Sequence, residues 1–365
     1  MSTLRVNTLQ NTSTTDGGIS IDTSGHVTVD GVAMPSAGPL SNRNKIINGD
    51  MRIDQRFGGT AATYGVGYAY VLDRWNGAAT IGSNMRVQRV TDTPGSNNAP
   101  AGFTNSLKAD AVTGATITAS DYFTVLQAIE GFNVSDLGFG TASASDVTLS
   151  FWVKSSVTGT HSGSLRNSAN DRSYPYTYEI SSADIWEKKT IIIPGDTSGT
   201  WLTTNGVGIE VIFDLGTGST FRTTAGAWTG AGYLGVTGAV SPLATLGATW
   251  YITGVQLEAG SVATPFERRS YGQELSLCQR YYEAQDEETY LGFPAPNATF
   301  AHTFPLMFKV QKRTVPTIVY NLNNLINVTT STLIFTNTYA WSLQVIAASS
   351  TNTTASTNFT ANAEL

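Results

Sequence analysis

Charged side chains are scarce in this chain of 365 residues. Asp, Glu, Lys and Arg together make up 13% of the sequence, about half the share of a typical soluble domain, and the formal net charge is −6. Because a phosphate backbone would meet no basic surface, we expect no nucleic-acid partner. No apolar run approaches the roughly 18–20 residues needed to span a bilayer, so we expect no insertion into a membrane.

Cysteine and histidine are also rare. One cysteine, Cys278, excludes an internal disulfide and a multi-cysteine zinc site, and the three histidines are scattered along the chain. The sequence has no nucleophile elbow and no zinc-protease motif, and GTGST at 216–220 lacks the lysine of a phosphate-binding loop. We therefore predict no catalytic residues, no metal ligands and no cofactor. The first ten residues lack the basic start and apolar stretch of a signal peptide, and none is expected.

Threonine and glycine are abundant instead. The chain has 52 threonines, which are β-branched and favour strands, and 36 glycines, which favour turns and bulges. With 41% hydrophobic and 10% aromatic residues it can bury a large core. The composition predicts an all-β fold.

The first 45 residues are predicted to form a separate, slender segment. In GISIDTSGHVTVDGV (18–32), isoleucines and valines alternate with polar residues on both sides of a DTSG turn, which predicts a hairpin. A lone hairpin is only marginally stable in water, so we expect it to pair with copies of itself or with another protein. PSAGP at 35–39 is typical of a linker.

Residues 46–265 are predicted to form the body, a jelly-roll β-sandwich. Apolar runs typical of strands, separated by turn residues, lie at 147–153, 191–194, 208–213 and 249–257. Six of the seven tryptophans lie in this segment, at positions 75, 152, 186, 201, 228 and 250. They could fill one sandwich core, or some of them could line a sugar site.

Residues 266–285 are predicted to form a connecting helix, and residues 286–365 a small C-terminal β-sandwich. Ser270 and Gln273 match a capping box, and Cys278 falls with other apolar residues on one helical face, where it would be buried. The acidic run at 286–288 is predicted to mark the boundary between helix and sandwich.

The C-terminal segment contains a long stretch without charge. From 314 to 363 there is no Asp, Glu, Lys, Arg or His, and strands predicted at 316–320 and 332–335 would expose uncharged apolar edges in a monomer. Such edges invite aggregation, and burial in an oligomer is one remedy. We therefore expect this region to be oligomeric.

Acidic residues of the body suggest two further chemistries. Glycoside hydrolysis needs two carboxylates, for which the candidates are Asp171, Asp184, Glu187, Glu210 and Asp214. Calcium binding needs clustered oxygens, for which the candidates are Asp50, Asp54 and Asp73, and the loop residues Asn167, Asn170 and Asp171. Ordinary solvent-facing and turn roles explain both sets more simply, so neither activity is predicted.

Aromatic and amide side chains near the C-terminus favour carbohydrate binding there. Trp341 is the only tryptophan outside the body and lies with Tyr339 and Asn337 in NTYAWSL (337–343). Flat aromatic rings pack against sugar C–H groups and amides bind sugar hydroxyls, so we predict that these three residues bind a neutral glycan. The alternative is that Trp341 packs in the core of a trimer.

Several segments resemble phage tail-fibre proteins. They are KIINGDMRIDQR (45–56), YVLDRW (70–75), VTLSFWVKSSVTGT (147–160), IPGDTSGTW (193–201) and, most specifically, ITGVQLEAGSVATPFERRSYGQELSLCQRYYE (252–283). The run FPLMFKVQKRTVPTIV (304–319) is similar to a strand pair in the tips of such fibres, and the ending ANAEL resembles a common C-terminus of the family. Together the resemblance covers most of residues 45–320.

The resemblance implies a homotrimeric tail fibre or receptor-binding protein of a tailed phage. Its jelly-roll body would be similar to carbohydrate-binding modules. Its N-terminus would attach to the tail or baseplate, and its C-terminal tip would bind polysaccharide or lipopolysaccharide on the host surface. Such a fibre assembles in the host cytoplasm and becomes part of the virion, and the family offers no catalytic residues to carry over. The alternatives are a tailspike that depolymerises glycan and a structural tail or baseplate component without a receptor.

Overall fold

The computed structural model of the chain describes residues 8–9, 18–63, 65–82 and 84–365. It divides into two compact units, Met1–Arg269 and Ser270–Leu365. Most of the described residues in regular structure are in strands, which confirms the predicted all-β class. Of the predicted N-terminal segment, residues 1–7 and 10–17 lie outside the described residues.

A four-stranded antiparallel sheet begins the first unit. Its strands are β1 (Thr8–Leu9), β2 (Ile19–Ile21), β3 (Val27–Val29) and β4 (Val32–Ala33), in that spatial order. The predicted hairpin consists of β2 and β3. His26 Nε2 lies 3.1 Å from Ser261 Oγ, and the N–H of Ser261 donates to Ser36 Oγ, so the hairpin and the linker both contact the body. The boundary predicted at residue 45 therefore does not separate two compact units.

The described residues of the body form fourteen further strands. In chain order they are β5 (Ala62–Thr63), β6 (Gly67–Leu72), β7 (Trp75–Ala79), β8 (Met85–Thr91), β9 (Asn105–Ala111), β10 (Tyr122–Glu130), β11 (Val147–Ser155), β12 (Gly159–Arg166), β13 (Ser173–Ile180), β14 (Glu187–Ile193), β15 (Val207–Thr217), β16 (Arg222–Thr223), β17 (Gly235–Val236) and β18 (Thr249–Ala259). Two six-stranded antiparallel sheets have the orders β13-β12-β15-β10-β7-β6 and β14-β11-β18-β9-β8-β5. The chain passes repeatedly from one sheet to the other, which confirms the jelly-roll sandwich predicted for the body.

The core lies between these two sheets, because each turns an apolar face inward. In β11 the alternate residues Val147, Leu149, Phe151 and Val153 are all fully buried, as the sequence pattern predicts. Phe213 of β15 meets them from the other sheet, with its ring centroid 5.1 Å from that of Phe151. Each such side chain stabilises the fold by roughly 1.5–3 kcal/mol by leaving water.

The body tryptophans divide between core and surface. Trp75, Trp250, Trp201 and Trp228 are buried or pack against the core, and Trp152 and Trp186 are partly exposed. Phe213 packs between two of them, with centroid distances of 6.4 Å to Trp75 and 5.6 Å to Trp250. Of the two predicted roles, filling the sandwich core therefore applies to four of the six.

The second unit consists of one helix and a small sandwich. Helix α1 (Tyr271–Gln279) precedes β19 (Tyr282–Pro294), β20 (Ala301–Met307), β21 (Thr317–Ile326), β22 (Val328–Thr336), β23 (Ala340–Ala347) and β24 (Asn352–Asn362). The predicted helix is confirmed, since Ser270 Oγ accepts the backbone N–H of Gln273 at 3.4 Å and Cys278 is fully buried. The strands form two three-stranded antiparallel sheets, β19-β24-β21 and β20-β23-β22. Among the described residues, no helix is long and apolar enough to cross a bilayer.

The predicted boundary at residue 286 falls inside a strand. β19 pairs with β24 on both sides of the acidic run, but residues 286–288 oppose the single residue Asn358. The acidic side chains therefore occupy a β-bulge, which holds residues out of the ladder without ending the strand. Helix α1 and β19 belong to the same compact unit as the rest of the C-terminal sandwich, which begins at Ser270.

Candidate functional site

Trp341 lies in the core of the C-terminal sandwich. Its side chain is 0% exposed, and its ring centroid lies 5.7 Å from that of Tyr320 and 5.1 Å from that of Phe359. Since solvent does not reach this ring, it cannot stack on a sugar, and its predicted role in glycan binding is wrong. The alternation of β23, in which Leu343 and Val345 are buried with Trp341, explains why it faces inward.

Asn337 and Tyr339 shape the turn that leads into β23. Asn337 Oδ1 accepts the backbone N–H of Tyr339 at 2.7 Å and that of Ala340 at 2.8 Å. The amide oxygen is therefore engaged in the turn itself. Tyr339 is exposed, so it alone among the three predicted site residues offers an open ring.

Another tyrosine of the same unit is more exposed. Tyr290 on β19 is 72% exposed, although the nearby Leu291 and Phe293 are buried. Because strand side chains alternate, Tyr290, Gly292 and Pro294 occupy successive outward positions. Tyr290 is not among the predicted site residues. Its signal in the sequence is an aromatic residue that alternates with the apolar residues Leu291 and Phe293 and so lies on the opposite face of the strand.

Gly292 determines how the Tyr290 ring lies. A Cβ atom at position 292 would be only 2.9 Å from Tyr290 Cε1 and 3.4 Å from its hydroxyl oxygen. The ring therefore leans along the strand over the glycine, in space that any larger side chain would take. This arrangement holds the ring against the strand and leaves most of it open to solvent.

The ring borders a shallow cleft of about 320 Å³. The cleft is lined by Tyr290, Gly292, Phe293, Pro294, Asn352, Thr353 and Thr354. None of these residues carries a charge. A flat ring beside hydroxyl and amide groups suits an uncharged ligand with many hydroxyl groups, such as a neutral sugar.

Ser356, which pairs with Tyr290 across β19 and β24, belongs to a hydrogen-bonded network. Asn324 Nδ2 donates to Ser356 Oγ at 3.0 Å and to Glu288 Oε2 at 2.8 Å, and Ser356 Oγ also donates to Glu288. Glu288 belongs to the acidic bulge of β19, while Asn324 lies on β21. The network therefore fixes polar groups from three strands of one sheet next to Tyr290.

The acidic residues proposed for hydrolysis have partners inside the protein. Glu187 pairs with Lys189 at 2.6 Å and Glu210 with Arg166 at 2.7 Å. Glu210 and Asp214 face the same side of β15, where four residues of strand place their Cα atoms about 13 Å apart, and Asp214 pairs with Arg222 at 3.2 Å. Asp171 Oδ1 accepts from Asn167 Nδ2. Asp184 is held through its backbone, whose N–H donates to the carbonyl oxygen of Ser155.

The residues proposed for calcium binding complete turns and ion pairs. Asp50 pairs with Arg52 at 2.5 Å, Asp54 accepts the backbone N–H groups of Phe57 and Gly59, and Asp73 accepts that of Gln55. Asn167 Oδ1 accepts the N–H groups of Asp171 and Arg172, and Asn170 adopts the positive φ of a turn residue. Among the described residues, no group of three or more His, Cys, Asp or Glu is placed to hold a metal ion.

No family model matches this chain, and no curated protein matches it in sequence. Solved structures overlap it in part. The enzymatically active domain of tailspike protein 4 of bacteriophage CBA120 is 12% identical, with a TM-score of 0.33, over 60% of this chain and 22% of that one. A putative sugar-binding protein from Bacteroides thetaiotaomicron is 12% identical, with a TM-score of 0.34, over 60% of this chain and 100% of that one.

A third solved structure contains a bound sugar. The family 11 carbohydrate-binding module from Clostridium thermocellum, in complex with a β-1,3-1,4-mixed-linked tetrasaccharide, is 11% identical, with a TM-score of 0.26, over 56% of this chain and 99% of that one. This chain spans less than a quarter of the tailspike domain. With identities and TM-scores this low, what these proteins bind or cleave is a property of those proteins alone.

Proposed function

We propose that the chain is a tail fibre of a tailed phage and a component of the virion. Its N-terminal segment attaches to the tail or baseplate, and its C-terminal unit binds polysaccharide or lipopolysaccharide on the host surface without catalysis. One observation carries the glycan-binding part: the 72% exposed ring of Tyr290 lies over Gly292 at the border of a cleft without charge.

The tail-fibre part rests on the resemblance of residues 252–283 and on their place in the fold. This segment begins in β18, contains helix α1 and ends in β19. It therefore spans the division between the two compact units, which falls between Arg269 and Ser270. That location supports its proposed role as the sequence that joins a fibre body to its tip.

The experiment measures binding of the fluorescently labelled full-length protein to an array of bacterial capsular and lipopolysaccharide O-chain polysaccharides. We expect saturable binding to at least one of them. Tyr290→Ala should weaken that binding about tenfold, because it removes the aromatic platform. Gly292→Ala should also weaken polysaccharide binding, because the added Cβ displaces the Tyr290 ring without removing it.

Two matched variants serve as controls. Tyr290→Phe keeps the platform and should bind nearly as well as the unmodified protein. Tyr339→Ala removes another exposed tyrosine of the same unit and should leave binding unchanged. If no polysaccharide binds, or if Tyr290→Ala and Tyr339→Ala behave alike, the tip does not bind glycan through Tyr290.

The same polysaccharides test for catalysis. Incubation with the protein should release no new reducing ends, because a fibre without catalysis leaves the polymer intact. Their appearance would favour a depolymerising tailspike instead.

A further inference from the structure

We infer that the body carries a second sugar site, a pocket that takes one neutral sugar residue. The pocket has a volume of about 380 Å³ and lies at one end of the sheet that contains β10 and β15. Its walls come from the loop before β10, the turn after β15 and the loop after β17. The inference extends the proposed glycan-binding function from the tip to the body.

Hydroxyl groups dominate the lining of this pocket. Thr118 and Thr217 already donate their hydroxyls to Asp121 and Asp214, each at 2.5 Å. Ser219 and Thr237 are exposed, and within the described part of the chain their hydroxyls have no hydrogen-bond partner. These two hydroxyls are therefore available to exchange hydrogen bonds with the hydroxyls of a ligand.

The cation that lines the pocket is already neutralised by the protein. Arg222 Nη2 lies 3.2 Å from Asp214 Oδ2, and Asp214 is completely buried. Ser162 Oγ and the backbone N–H of Gly216 also donate to this carboxylate, at 2.8 and 2.9 Å. An anionic ligand would have to share Arg222 with a buried carboxylate, so the pocket favours a neutral one.

Close packing fixes this ion pair in place. A Cβ atom at Gly235 would lie 2.2 Å from Asp214 Oδ2, so no larger residue fits beside the carboxylate. Arg222 Nη1 donates to the carbonyl of Ala239 and Nη2 donates to Ser241 Oγ as well as to Asp214. Three of the five guanidinium N–H groups are thus used inside the protein, and the Nε–H group is buried without a partner among the described residues. One N–H group of Nη1 therefore remains as a donor toward the pocket, in a fixed position.

The remaining wall is apolar. Ile117 packs partly against the sandwich core and partly lines the pocket. Hydroxyl groups on one side and an aliphatic side chain on the other match the polar edge and the C–H face of a sugar ring. The pocket volume falls within the range of about 300–1,000 Å³ that is usual for small-molecule sites.

The test uses the full-length Tyr290→Ala protein, which lacks the aromatic platform of the tip. Saturation-transfer-difference NMR is recorded with the methyl α-glycosides of D-glucose, D-galactose and D-mannose, and with D-glucuronate as the anionic counterpart. We expect at least one neutral glycoside to bind and glucuronate to bind at least about fivefold more weakly.

Substitutions at two positions locate the binding in this pocket. Thr237→Val should weaken it about fivefold by removing a hydroxyl at constant shape, whereas Thr237→Ser should retain it. Ser219→Trp should abolish binding by filling the pocket. Both positions are exposed, so the fold should tolerate these changes.

Three outcomes would overturn the inference: no binding by any neutral glycoside, tighter binding of glucuronate, or unchanged binding in the Ser219→Trp protein. The polysaccharide array measures binding through Tyr290, whereas the NMR assay measures binding to a protein that lacks this side chain. Failure of one site is therefore distinguishable from failure of the other.

Discussion

Lys312 and Glu283 form an ion pair from which water is excluded. Lys312 Nζ lies 2.5 Å from Glu283 Oε2, and both side chains are completely buried. Nζ also donates to the carbonyl of Gln279, and the N–H of Lys309 donates to Glu283 at 3.1 Å. Burial lowers the pKa of Lys312, and the nearby carboxylate of Glu283 opposes that shift. The pair connects the end of α1, the start of β19 and the segment after β20 within one unit.

Breaking this pair should destabilise the C-terminal unit. We expect Glu283→Gln to lower the free energy of unfolding by about 3–5 kcal/mol, because it leaves a buried ammonium without its counter-charge. Glu283→Leu combined with Lys312→Met removes both charges and should recover most of that loss. Urea denaturation of the full chain measures both variants, and an unchanged transition in Glu283→Gln would contradict the prediction.

Replacing Trp341 should affect stability before it affects binding. Trp341→Ala removes a fully buried ring and should cost about 3–5 kcal/mol of unfolding free energy. Trp341 Nε1 has no hydrogen-bond partner among the described residues. Trp341→Phe therefore loses ring volume but no hydrogen bond, and it should lower the free energy of unfolding by less than Trp341→Ala. Tyr339→Ala, at an exposed site, should stay within about 0.5 kcal/mol. Thermal unfolding of the three variants measures these changes. A Trp341→Ala protein as stable as the unmodified protein would refute the placement of Trp341 in the core.

Acid should destabilise the body through His161. This ring is fully buried, its centroid lies 5.4 Å from that of Tyr178, and Nε2 lies 2.9 Å from the carbonyl oxygen of Val157. Burial lowers the pKa of His161 below its ordinary value of 6.5. As the pH falls, the unfolded chain therefore binds a proton at His161 before the folded chain does. The contribution of the neutral ring to stability is complete above pH 6.5 and is lost as the pH drops toward the pKa of the folded state.

The His161 contribution can be isolated by substitution. The loss amounts to at most about 1.4 kcal/mol per pH unit within that window. His161→Phe keeps a ring against Tyr178 but does not titrate, so its stability should decline less between pH 6.5 and 5. Denaturation curves recorded across this range test the prediction, and equal slopes for both proteins would count against it.

The protein should be a trimer in solution. Strands β21 and β22 lie at the edges of their sheets and expose large apolar side chains, among them Val319, Ile326, Ile334 and Phe335. Uncharged apolar edges associate readily, and three copies would multiply weak sugar contacts by avidity. Light scattering of the full-length protein should give about three times the chain mass of 38.8 kDa. A monodisperse 38.8 kDa species would exclude the trimer.

Elements that depend on neighbours in sequence were predictable. The alternation at 147–153 appears as the buried face of β11, and the turn at 22–25 closes the hairpin of β2 and β3. The capping box at Ser270 begins helix α1. The acidic run at 286–288 was misleading, because a linker and a bulge both gather polar residues and only strand pairing distinguishes them.

The sequence by itself determined the all-β class, the sandwich body, the capped helix and the C-terminal sandwich, because alternation, turn chemistry and capping act over a few residues. Only the tertiary structure decided that Trp341 is buried and Tyr290 exposed, since burial depends on which strands pack over each ring. It also decided that Lys312 meets Glu283, 29 residues earlier. Such contacts arise from the pairing of distant strands, which no local pattern encodes.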